Sequence, residues 1–98
     1  MREILLQSTE IADLPVTGIT DDTTLPAKVI LFNDEIHTFD EVIFQLIKAI
    51  KCTPQFGESI AWEVHTRGKA CVFTGEMNEC VKVSSVLEEI ALHTQIEY

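Results

Sequence analysis

The chain has 98 residues, 46% of them hydrophobic, with 16 acidic side chains against 7 Lys and Arg and a formal net charge of -9. That length allows one core but not two, and the apolar content excludes a disordered chain. The negative charge excludes nucleic acid or an anionic membrane surface as the main partner.

Residues 1–27 read as a flexible extension. TGITDDTTLPA is rich in Thr and Asp, the segment from Pro15 onward is broken by Pro15, Gly18 and Pro26, and no sustained periodicity is present. The opening MREILLQSTEIADL has only a short apolar patch among acids and does not read as a secretory signal. No apolar run approaches the roughly 20 residues that cross a bilayer. KVILF, Lys28 to Phe32, predicts a buried strand ending in the turn signal Asn33-Asp34. Thr38 and Glu41 then form a capping box, and Val42, Ile43, Leu46, Ile47 and Ile50 recur at helical spacing up to about Lys51.

Thr53-Pro54 opens a second helix, with an apolar stripe of Phe56, Ile60, Ala61 and Val64 and an end at Gly68. KACVFT predicts a second strand. A third helix is expected from about Asn78 to about Leu92, burying Val83, Val86 or Leu87, and Ile90. TQIEY alternates as an edge-type strand. The resulting order, β-α-α-β-α-β, implies a compact α+β domain with its helices packed on the sheet.

Chemistry has few places to reside. His37, His65 and His93 show no metal-ligand spacing with the cysteines, so no metal site is read. Cys52, Cys71 and Cys80 are odd in number and lack C-x-x-C spacing, which suits free thiols in a reducing cytoplasm. Each is read as a small buried hydrophobe, and no nucleophile signature accompanies them. The four glycines are scattered, so there is no phosphate loop. Two segments remain, LFNDEIHTF and AWEVHTRGKA. Taken separately, Asn33-Asp34 reads as a turn bonded to its own backbone, and His65 as a cation at a helix C-terminus.

Together and in order, KVILFNDEIHTFDEVIFQLIKAI and AWEVHTRGKACVFTGE resemble the ClpS family, adaptors that deliver N-end-rule substrates to the Clp AAA+ protease. In that family a strand ends in Asn-Asp-Asp, and a helix follows that opens with an apolar residue and a Val. A second helix carries Val-His ahead of Gly-Lys or Gly-Arg. The likeness spans about residues 28–82 and implies a ClpS-like domain over 28–98, with three helices and a three-stranded antiparallel sheet. It implies a cytoplasmic binding module without catalysis or cofactor. Its partners would be N-degron substrates, proteins with a large hydrophobic first residue, and the N-terminal domain of a Clp AAA+ ATPase.

Carried over by position, Asn33, Asp34 and His65 match the groups that contact a free α-amino group, and Phe39, Val42, Ala61, Val64 and Leu92 the apolar pocket. Glu35 and His37 are candidate rim residues, and Glu76 and Lys82 fall on the segment used for ATPase docking. The extension at 1–27 matches the arm that engages the unfoldase. Glu35 stands where the family often has Asp, His37 where a small hydroxyl residue is common, Phe39 where Met is frequent, and Ala61 where a larger apolar residue is frequent. The His-Thr-Phe form is itself similar to a variant of the family. An alternative is a divergent interaction module whose pocket Phe39 closes.

Overall fold

The computed structural model describes residues 26–98. Six elements follow in the order β1 (Ala27–Phe32), α1 (Phe39–Ile50), α2 (Pro54–Arg67), β2 (Lys69–Gly75), α3 (Met77–Glu88) and β3 (Thr94–Glu97). This is the β-α-α-β-α-β order read from the sequence. The extension expected over 1–27 lies outside the described residues but for its final two. Ala27 belongs instead to β1, where it is 1% exposed.

The three strands form one antiparallel sheet in the order β2-β1-β3. Ala27, Val29 and Leu31 share one face of the central strand by the two-residue period of the pleat. With Ala70 and Val72 of β2 they meet Leu46 of α1, Ile60 and Val64 of α2, and Cys80, Val83 and Leu87 of α3. The β1–β2 register slips at Val29–Ile30: Val29 faces Phe73 and Ile30 faces Cys71, leaving Val72 without an opposite residue. A bulge of this kind re-aims the side chains beyond it, and Phe73 packs against the core.

Helix ends follow the local chemistry. Thr38 Oγ1 accepts from the Glu41 amide at 3.1 Å, and Glu41 Oε1 accepts from the Thr38 amide at 2.8 Å. Thr38→Ala should lower stability by about 1 kcal/mol. Urea unfolding near neutral pH measures it, and an unchanged midpoint would contradict the cap. Thr53 Oγ1 caps α2 through the Phe56 amide at 3.1 Å. Gly68 closes α2 at φ 90°, a left-handed conformation natural for glycine.

Three expectations are corrected. Phe56 is 51% exposed rather than part of the α2 stripe, whose first buried member is Gly57. A Cβ at Gly57 would lie 3.3 Å from Ile43 Cγ2, so α1 and α2 approach too closely there for a side chain. On α1, Leu46 is fully buried, while Val42, Ile43, Ile47 and Ile50 are half-buried. Gln45 is buried beside Leu46 because its Nε2 donates to the Val86 carbonyl at 2.6 Å and to Glu89 Oε1 at 3.2 Å.

Second, α3 stops at Glu88, four residues short of the expected Leu92. The Glu89 amide bonds the Val86 carbonyl, the Ala91 amide bonds the Glu88 carbonyl, and Ala91 sits at φ 67°. Those tight turns and the left-handed residue lead the chain off the helix axis, so Ile90 lies in a turn and Leu92 in the connection to β3. Third, Cys71 is exposed, whereas Cys80 is buried and Cys52 half-buried. Cys71 falls between Ala70 and Val72, which face the core, so the strand's alternation turns it outward.

Candidate functional site

β1 ends where its two neighbours clamp it. The Phe32 amide donates to the His93 carbonyl at 3.0 Å, and the Asn33 amide donates to the Gly68 carbonyl at 2.9 Å. The loop 33–38 therefore leaves the sheet from a point fixed by the end of α2 and the start of β3. It borders an open cavity of about 370 Å³ lined by Asn33, Asp34, Glu35, His37 and Thr38, by Phe39 and Val42 of α1, by Ala61, Val64 and His65 of α2, and by Leu92. Leu31 and Phe32 complete the lining.

All ten residues proposed from the sequence for the amine contact, the apolar wall and the rim thus meet at one place. Glu76 and Lys82 do not; both are exposed at the start and along the outer side of α3. The spacing of α2 explains its share of the lining: Ala61, Val64 and His65 recur at three and four residues, so they face one way.

Asp34 is the most constrained polar group. Its Oδ1 accepts from the amides of Ile36 and His37, each at 2.9 Å, and its Oδ2 from His37 Nδ1 at 2.8 Å. Of roughly four acceptor directions a carboxylate offers, the loop itself occupies three. The free direction lies on Oδ2, and Asp34 lines the cavity. Burial works to raise the Asp34 pKa, but the His37 amide, the His37 ring, the Ile36 amide and the nearby imidazole charge together hold it below the usual 3.8.

His37 is raised above its usual 6.5, first by the bond to Asp34, against the cost of burial, then by the Ile90 carbonyl and the charges of Asp34 and Glu41. The linkage signs follow. The stabilisation from Asp34 is present above pH 3.8 and is lost as pH falls through its lowered value. That from His37 is present below pH 6.5 and is lost as pH rises through its raised value. The pair is intact between those two limits.

One neighbour of the cavity was not singled out from the sequence. Trp62 is 52% exposed, and its ring centroid lies 5.0 Å from Phe39 and 6.0 Å from His65, while Phe39 lies 5.4 Å from His65. All three contacts are edge-to-face, an arrangement that aromatic quadrupoles favour. The available signal was helical spacing: Trp62 precedes His65 by three residues. Among the described residues, no group of three His, Cys, Asp or Glu side chains is placed to hold a metal ion. No helix among them is long and apolar enough to cross a membrane.

A β-α-α-β-α-β domain with a polar-mouthed, apolar-walled cavity between β1, α1 and α2 defines the class. The family model for the ATP-dependent Clp protease adaptor protein ClpS matches residues 22–96, and the chain belongs to that family. In structure it is similar to Agrobacterium tumefaciens ClpS2, solved bound to L-phenylalaninamide, with a TM-score of 0.72 and 19% identity over 76% of this chain and 96% of that one.

In sequence it is similar to the E3 ubiquitin-protein ligase UBR2 of Homo sapiens, 39% identical over 57 residues, and to UBR1 of Drosophila melanogaster, 37% identical over 59. Those stretches cover 58% and 60% of this chain but only 3% of each ligase.

Proposed function

We propose that the chain binds the free amino terminus of proteins whose first residue is large and hydrophobic, and presents them for degradation. The observation that carries the reading is the gathering of Asn33, Asp34 and His65 at the mouth of a cavity walled by Phe39, Val42, Ala61, Val64 and Leu92. An α-ammonium brings three donors and a positive charge, so it needs several acceptors and net negative charge. Asn33 offers its side-chain carbonyl, Asp34 the open direction on Oδ2, and His65 a ring nitrogen.

The apolar wall takes the first side chain, and a cavity of about 370 Å³ has room for an aromatic ring. Phe39, held edge-on to Trp62 and His65, leaves the cavity open. That openness argues against a module whose pocket Phe39 closes. The ligand in the ClpS2 structure, an amino-acid amide with a free amine, has the same chemistry.

In this reading the protein is an adaptor with no reaction or cofactor of its own. Delivery to a Clp AAA+ unfoldase in the cytoplasm would use Glu76 and Lys82 against the ATPase N-terminal domain, and residues 1–27 during handover. The likeness to stretches of ubiquitin ligases supports the recognition step without fixing the machine downstream.

The test is a titration of short peptides beginning with Phe or Leu against their N-acetylated twins. Acetylation removes the charge and two donors, and the free peptides should bind at least about tenfold more tightly. Equal affinity for the two would overturn the reading.

A further inference from the structure

Both ring nitrogens of His37 face groups that can only accept. Nδ1 lies 2.8 Å from Asp34 Oδ2, and Nε2 lies 2.5 Å from the Ile90 carbonyl oxygen. A neutral imidazole carries one N–H and satisfies one of these acceptors; its other nitrogen then turns a lone pair toward oxygen. Only the imidazolium donates to both. The side chain is 10% exposed, so water does not readily take the place of a lost partner.

Its other charged neighbours act in the same direction. Asp34 on the loop and Glu41 on α1 are both negative toward the ring. At the end of α3, Glu88 is turned to Ser84 and Thr94, and Glu89 to Lys48 and Gln45. The α3–β3 turn therefore faces His37 with the Ile90 carbonyl. Glu35 of the loop and His65 of α2, which line the same cavity, are the further titratable groups there.

We infer that His37 is a positioning residue of the amine site, held as an imidazolium between Asp34 and the Ile90 carbonyl, and that its proton couples the Asn33–Asp34 loop to the turn leading to Leu92. Two walls of the cavity are joined through this one ring. Loss of the Nδ1 proton sets a lone pair against Asp34 Oδ2, the atom with the open acceptor direction. Loss of the Nε2 proton instead releases Ile90, and with it the seat of Leu92, which is 3% exposed. Either loss loosens the site as pH rises.

The effect on ligand rests on the amine-binding reading; the state of the ring does not. Two measurements on the full chain separate them. In the first, ¹⁵N NMR of the ligand-free protein should show both His37 nitrogens protonated past about pH 6.5. The amides of Asp34, Ile90 and Leu92 should shift with the same midpoint. A singly protonated ring near pH 6 would overturn the inference.

The second is the ratio of wild-type to His37→Gln affinity for one free-amine peptide across pH, in which the titration of the peptide cancels. The ratio should be about tenfold near pH 6, the worth of a charged hydrogen bond, and should decline toward unity at high pH. A ratio constant with pH would mark His37 as merely structural and overturn the coupling. If wild type binds acetylated and free peptides alike, the functional reading fails, and the NMR titration alone decides the inference. It does so equally if His37→Gln does not fold.

Discussion

Asp34→Ala should weaken binding of a free-amine Phe or Leu peptide by about a hundredfold, roughly 3 kcal/mol, the scale for truncating one partner of a desolvated charge pair. Two losses combine. The ligand ammonium loses its carboxylate, and the loop loses the acceptor that holds the amides of Ile36 and His37 and the His37 ring. Asp34→Asn separates them, because its amide oxygen can keep the two backbone bonds while the charge is gone. Its loss should be smaller, about tenfold. Calorimetric titration checks both, with a thermal melt to show that each variant is folded. Wild-type affinity in Asp34→Ala would return Asp34 to the status of a turn residue.

Leu46→Ala should destabilise the domain by roughly 2–5 kcal/mol, since it removes a fully buried side chain from the centre of the core. For a domain of this size that is a fall in melting temperature on the order of 10–25 °C. Leu46 is the one apolar residue of α1 with no exposure, so it ties that helix to the sheet. Because α1 also presents Phe39 and Val42 to the cavity, peptide binding should weaken alongside stability. A melting temperature within a few degrees of wild type would mean that the core closes around the gap far better than packed interiors do.

Most of the fold was legible because each element carries a local signal that its environment leaves intact. The capping box at Thr38, Pro54 in the first turn of α2 and Gly68 at its end all act as their chemistry requires. What escaped was set by contacts between elements. Phe56 and Gly57 are neighbours, and only the approach of Ile43 decides which faces inward. Gln45 is buried because the Val86 carbonyl lies within reach, a fact forty residues away in sequence. Nothing in the pattern of α3 stops it at Glu88; the left-handed Ala91 belongs to the turn that returns the chain toward β1.

The site divides the same way. Asn33, Asp34, His65 and the wall residues Phe39, Val42, Ala61 and Val64 were readable from two motifs in fixed order, with Leu92 beyond both, and the cavity gathers them. His37 was read as a candidate rim residue, but its bridging role was not, because its second partner is a backbone carbonyl, which no side-chain pattern reveals. Trp62 was passed over because, half exposed, it stands outside the buried stripe of α2, although its three-residue spacing from His65 places it beside the site.

The strand order has a consequence for assembly of the site in time. β1 sits between β2 and β3, and its pairing with β3, Leu31 opposite Thr94, closes a loop that contains α1, α2, β2 and α3. The entropy of closing so long a loop is lost before the pairing repays it, and such contacts tend to form late. The Phe32–His93 bond and the seat of Leu92 both depend on that closure. The pocket thus depends on the strand pairing most distant in sequence, and α1 and α2 alone would carry the loop sequence without the clamp that aims it.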